Sequence, residues 1–253
     1  MAKREIAKVE KKLSIPAHLA ARMAEDAGKG LSKDQSDNVV PLIYVLQALS
    51  PQVQKRNSGY IEGAEAGSIW LRNSDDPIVD GEEGILFQPC YFNKDIVEWV
   101  PRDSGGGFVG RHKVLPTNAK AVEDPKGRRT SFVMPNDNEL RETRYHFGYV
   151  YEHGGQPMPY VIPMSGSGHQ TSKAWMTLMN SKGEYPAFAH VCRIKTRLNT
   201  NNLGEWYGWD ISIERWANED EYDLGKRLFA SLSSGQRQAE DPLQDDAEIS
   251  SRI

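Results

Sequence analysis

The chain has 253 residues with 38% hydrophobic and 26% charged content, enough to bury a sizeable core in one main domain with extensions. No apolar run approaches the roughly 20 residues of a transmembrane helix, and the opening MAKREIAKVEKK lacks the apolar segment of a signal peptide; no membrane is implied, and a cytoplasmic location is expected. The formal charge of −4 is unevenly spread, because residues 216–253 hold nine acids against four bases, whereas residues 102–129 hold seven Arg or Lys against three acids.

Residues 1–34 mix charged and small apolar residues and read as a helical N-terminal arm ending near Gly28 and Gly30. From residue 35 to 216 the periodicity shortens. The runs at 42–49, 68–72, 84–92 and 95–100 are short, apolar or aromatic, and cut by Pro, Gly, Asn and Asp, as strands are. Asn93 and Lys94 between two of them predict a tight hairpin, whose second strand delivers Trp99 to the loop RDSGGGFVGRHK. Residues 113–143, with KGRR at 126–129, predict a long excursion from the sheet. Strands resume at 145–153 and 159–164.

A helix follows within 165–183, with Trp175, Leu178 and Met179 on one face and Gly183 stopping it. The strand at 187–198 alternates so that Arg193, Lys195 and Arg197 share one face. The strand at 204–216 sets Tyr207, Trp209, Ile211 and Ile213 against Trp206, Asp210 and Glu214. Residues 217–253 predict a short helix at 219–233 and then a disordered acidic tail. Many short strands, a few helices and long loops indicate a mainly β fold, and an elaborated β-barrel of the oligonucleotide-binding (OB) type suits the strand count.

Cys90 and Cys192 lie in apolar runs and read as buried thiols, and the six histidines show no metal-ligand spacing, so neither metal nor cofactor is implied. SGGGFVGRH lacks the spacing of a P-loop, and SGSGH is not a nucleophile elbow. What the chain does carry is aromatic rings beside cations, the combination that holds a single-stranded nucleic acid by base stacking and phosphate neutralisation. The candidate contacts are Trp99, Arg102, Phe108, Arg111 and Lys113, then Arg128 and Arg129, then Arg193, Lys195 and Arg197 with Trp206. No helix-turn-helix, zinc-finger or basic-zipper pattern is present, which favours binding without sequence preference.

The phrases NVVPLIYVLQALSPQVQKRNSGYIEGAEAGSIWLRN, EWVPRDSGGGFVGRH, VIPMSGSGHQTSKAWMTLMNSK and GEWYGWDISIE resemble a group of tailed-bacteriophage proteins taken to be single-stranded-DNA-binding proteins, over roughly residues 35–215. The resemblance implies an OB-type fold, a role in phage DNA replication or recombination in the host cytoplasm, and no enzymatic activity. It also implies an acidic C-terminus that competes with DNA and docks replication proteins; this chain departs from that pattern by ending in Ser-Ser-Arg-Ile instead of an aromatic residue. Two alternatives stand beside this reading: a metal-dependent nuclease using Asp210, Glu214 or the acids at 75–83, and a virion or scaffolding protein.

Overall fold

The computed structural model describes residues 38–123, 130–151, 156–181, 183–202 and 204–242, with two isolated positions at 19 and 22. The chain divides into two units, Met1–Lys33 and Asp34–Ile253. Apart from residues 19 and 22, the expected N-terminal arm lies outside the described residues, as do residues 243–253 of the expected tail.

In the second unit the chain runs through strands β1 (Val39–Val40), β2 (Ile43–Val45), β3 (Ile69–Leu71), β4 (Ile78–Val79), β5 (Ile85–Val100), β6 (Gly107–His112), β7 (Lys120–Glu123), β8 (Thr130–Val133), β9 (Glu139–Tyr151) and β10 (Met158–Met164). Helix α1 (Gly168–Asn180), strands β11 (His190–Asn201) and β12 (Gly204–Trp216), helix α2 (Glu219–Ser233) and strand β13 (Gln238–Ala239) complete it. The protein is mainly β, as expected, and its principal sheet curls into a half-barrel consistent with an OB-type fold. That sheet has the order β12-β11-β5-β9-β8-β7, with β10 added to β9 and β6 to β5. Strands β2, β3 and β4 form a second antiparallel sheet.

The curl has a local cause. Strand β5 slips register at Pro89 and again at Glu98, and β11 slips at Val191. A bulge bends and twists its strand, and at Pro89 the missing N–H removes a ladder bond at that very point. Apolar side chains then pack in two clusters. One gathers Leu42, Cys90, Trp99, Tyr145, Phe147 and Leu228; the other gathers Ile43, Phe87, Ile162, Trp175, Ile194 and Trp209. Both cysteines are free and buried, and burial pushes the Cys192 thiol up to about 11.

Four expectations change. There is no hairpin at Asn93–Lys94: β5 runs straight through, with these residues opposite Tyr145 and Arg144. A two-residue hairpin of the favoured type needs positive φ at both central positions, which Lys resists, whereas cross-strand partners are available here. The excursion at 113–143 adds two strands to the sheet, since β7 and β8 pair and Phe132 sits opposite Leu140 of β9. Its periodicity is silent because β7 is exposed along its whole length. Strand β11 runs to Asn201, beyond the expected end at residue 198, and residues 199–201 are ladder paired to Trp206, Glu205 and Gly204. The tail begins in order: β13 pairs in parallel with β1, and Glu240 N–H donates to the Val40 carbonyl.

Helix α2 spans the expected residues because Asn218 and Glu221 close a reciprocal capping box, and Arg215 pairs with Glu221 at 2.7 Å. The guanidinium holds the Glu221 carboxyl below its ordinary range. Helix α1 starts at Gly168, and Ser172 in its first turns is buried and meets His146 Nε2 at 2.8 Å. None of the described helices is long and apolar enough to cross a membrane.

Candidate nucleic-acid interface

The glycine-loop segment comes first. Gly105, Gly106 and Gly107 all have positive φ (105°, 66° and 131°), which is why the turn from β5 to β6 is written in glycine. Trp99, at the end of β5, is only 6% exposed and meets Phe108 edge to face at 5.9 Å. Its indole is core and offers no face to a base. Arg102 opens a 3-10 turn, Arg102–Ser104, and its side chain lies outside the described residues, as do Arg128 and Arg129.

Arg111 is already occupied. Its guanidinium lies 5.8 Å from the Phe108 ring centre and 5.2 Å from that of Tyr145, and it donates to the carbonyls of Ala239 (3.0 Å) and Glu240 (2.6 Å). It also pairs with Asp241 at 3.0 Å. Arg72, 6.0 Å from the Trp70 ring centre, pairs with Glu240 at 3.1 Å. Two cation-on-ring sites are therefore held by consecutive acids of the chain's own C-terminal segment. Burial pushes the Tyr145 phenol up to about 12, so it stays neutral beside Arg111. Lys113 is well exposed, and its ammonium sits 2.9 Å from the buried Asp95.

The hairpin of β11 and β12 carries the second set. Arg193, Lys195 and Arg197 share a face as expected, and the register places them opposite Ser212, Asp210 and Gly208. Arg193 Nε lies 3.8 Å from Glu214. Lys195 thus faces an acid across the ladder, whereas Arg197 faces a residue with no side chain. Asn199, next on that face, stands opposite Trp206, whose indole is half-buried.

Arg197, Asn199 and Trp206 meet at a cavity of about 160 Å³ along the outer edge of β12. Its floor is apolar, from Ile43 of β2, Met164 of β10 and Trp209; Ser167 and Thr171 at the start of α1 line the opposite wall. The wall on the β12 side is pinned by Gln47. Its amide accepts from Tyr207 N–H at 2.9 Å and donates to the Tyr207 carbonyl at 2.9 Å, standing in for a neighbouring strand. Sequence reading missed Gln47, Arg72 and Asn199. Asn199 had a visible signal, since it continues the alternation of Arg193, Lys195 and Arg197; the other two depend on contacts across 160 and 168 residues.

The remaining candidates disperse. Asp80 accepts from the backbone of Glu82 and Glu83 and so closes its own turn. Among the described residues no three of His, Cys, Asp and Glu gather to hold a metal ion. The SGSGH stretch does not pair its serines with its histidine, because His169 Nε2 lies 2.9 Å from the Glu142 carbonyl. The Ser172–His146 contact is sealed from solvent, and burial lowers that imidazole to about 3.

No curated protein and no solved structure matches the chain. A family model described as Pam3 phage gp34-like protein matches residues 8–238, which covers the whole curled sheet, helices α1 and α2 and the start of β13, and the chain therefore belongs to that phage family.

Proposed function

We propose that this phage protein is a non-catalytic, sequence-independent single-stranded-DNA-binding protein serving phage replication or recombination. The observation that supports it is the meeting of Arg197, Asn199 and Trp206 at the mouth of one cavity on a β scaffold. A half-exposed indole stacks on a base, and a neighbouring guanidinium neutralises the adjoining phosphate without reading sequence. The clasp on Arg72 and Arg111 fits the same reading, since carboxylates of residues 240 and 241 sit where phosphates of a strand would compete for them.

The test is a titration of tryptophan fluorescence with oligo-dT and with duplex DNA. Binding is expected to prefer the single strand and to weaken with salt, with a slope of roughly −0.7 per phosphate neutralised. Equal binding to both, or none, ends the proposal. A second reading, a virion or scaffolding protein, draws on a different observation: Tyr185 and Trp216 are exposed and meet edge-on at 5.2 Å, and the exposed rings of Tyr222 and Phe229 both pack on Phe188. A stable high-order assembly in sedimentation without nucleic acid would favour it.

A further inference from the structure

On the reading just given, we propose that the cavity beside β12 takes one unpaired nucleobase, leaving its phosphate outside on Arg197. Size is the first ground. At about 160 Å³ it falls below the roughly 300 to 1,000 Å³ of clefts that bury drug-sized ligands, so it admits a single ring system and not a length of chain.

Charge is the second. Arg197 is the only charged residue among the described residues lining the cavity, and it is exposed at the rim. The start of α1 does not present an anion cradle, because the N–H groups of Gly168, His169 and Gln170 are turned back onto the carbonyls of Ser165, Gly166 and Ser167 at 2.9 to 3.2 Å. The interior therefore suits a neutral, planar group, and the rim suits an anion. Its neutral polar side chains include hydroxyls and primary amides, Ser167, Thr171, Gln170 and Asn199 among them, each able to donate or accept. Such a set accommodates the edge of any base and selects none, as sequence-independent binding requires.

Room and rigidity are the third. A Cβ at position 208 would lie 2.8 Å from Asn199 Nδ2 and 4.0 Å from Trp206 Nε1, so the glycine keeps the mouth open. Gln47 and the close approach of Gly67 to the Tyr207 ring, where a Cβ would lie 2.6 Å from the ring, fix the wall before any ligand arrives. Preference for a single strand then follows from access, since a paired and stacked base cannot enter.

The probe is a pair of labelled strands of equal length and charge, oligo-dT and its abasic counterpart, bound to the full-length protein and read by anisotropy. The abasic strand is expected to bind roughly 5- to 150-fold more weakly. Trp206→Ala is expected to bring oligo-dT down towards the abasic strand while leaving the abasic strand unchanged, and Gly208→Val, which crowds the mouth, to do the same. If oligo-dT and the abasic strand bind the native protein equally, base capture is wrong although strand binding stands; if neither binds, the function proposed above fails too. A base preference that survives both substitutions would also overturn this site.

Discussion

Gln47 is the residue on which the cavity wall depends, and replacing it by Leu isolates that dependence. The side chain is 7% exposed, and its amide makes both bonds that the outer edge of β12 offers at Tyr207. Leu keeps most of the volume but leaves one N–H and one C=O without partners. An orphaned buried backbone group costs about 1 to 3 kcal/mol; Tyr207 is half-buried, so water reaches part of it and the lower end applies to each, about 2 kcal/mol together. Urea denaturation should show that loss as a lower midpoint with an unchanged slope. Gln47→Glu sharpens the test, because a carboxylate still accepts from the N–H but opposes the carbonyl. That variant should be as unstable as Leu near neutral pH and should recover as the pH falls and the carboxyl takes up the proton it needs to donate. A loss under about 0.5 kcal/mol for Gln47→Leu would mean the edge is held by something else.

Substitutions at three other joints probe them separately. Gly225→Ala places a methyl 2.7 Å from Phe188 Cβ and 2.8 Å from Gln88 Nε2 of β5, so crowding of about 1 to 3 kcal/mol should exceed the helix-propensity gain of about 1 kcal/mol and lower the melting temperature. The Glu98 carboxyl is held below its ordinary range first by the amide of Asn138 and also by His112 at 2.7 Å, so its contribution is present above about pH 4.5 and drains as the pH falls through the folded value; Glu98→Gln should flatten the acid limb of a stability-against-pH curve. Neutralising the clasp with Glu240→Gln and Asp241→Asn should tighten oligo-dT binding several-fold while lowering stability, whereas truncation after residue 242 should leave the clasp on Arg72 and Arg111 in place. Unchanged affinity in the double substitution would make the clasp purely structural.

The parts of the fold legible in the sequence are those whose cause is local. Helix α2 announces itself through Asn218 and Glu221 three residues apart, and β12 through strict alternation of Tyr207, Trp209, Ile211 and Ile213. Strands β7 and β13 were invisible for opposite reasons: one buries no face that would impose a period, and the other is two residues long and exists only because β1 lies beside it. Trp99 shows the same limit: Glu98 and nearby Asp95 set it beside charge in the sequence, yet both acids are themselves buried, tied to Asn138, His112 and Lys113, and the indole is buried too. A flanking charge signals solvent only when nothing in the fold neutralises it, and that is a tertiary fact.

The same neutralisation decides where a strand could bind. Counted along the chain, the cations around residues 102–129 and 193–197 promise a continuous basic trough. In the fold Lys113 is matched to Asp95, Arg111 to Asp241, and Arg193 stands near Glu214, while Lys195 faces Asp210. A phosphate arriving at Lys113, Arg111 or Arg193 displaces a carboxylate already beside the charge, and one arriving at Lys195 meets Asp210 across the ladder, so each releases fewer counterions than an open lysine would. Arg197, opposite Gly208, presents no such competitor across the ladder. The five candidate cations among the described residues should therefore contribute a salt slope for oligo-dT nearer to that of one or two phosphates than of five, with Arg197→Ala removing roughly 0.7 of it. A slope several times larger, untouched by Arg197→Ala, would mean that the acid-matched arginines open on binding and that the hairpin is not where the backbone is held.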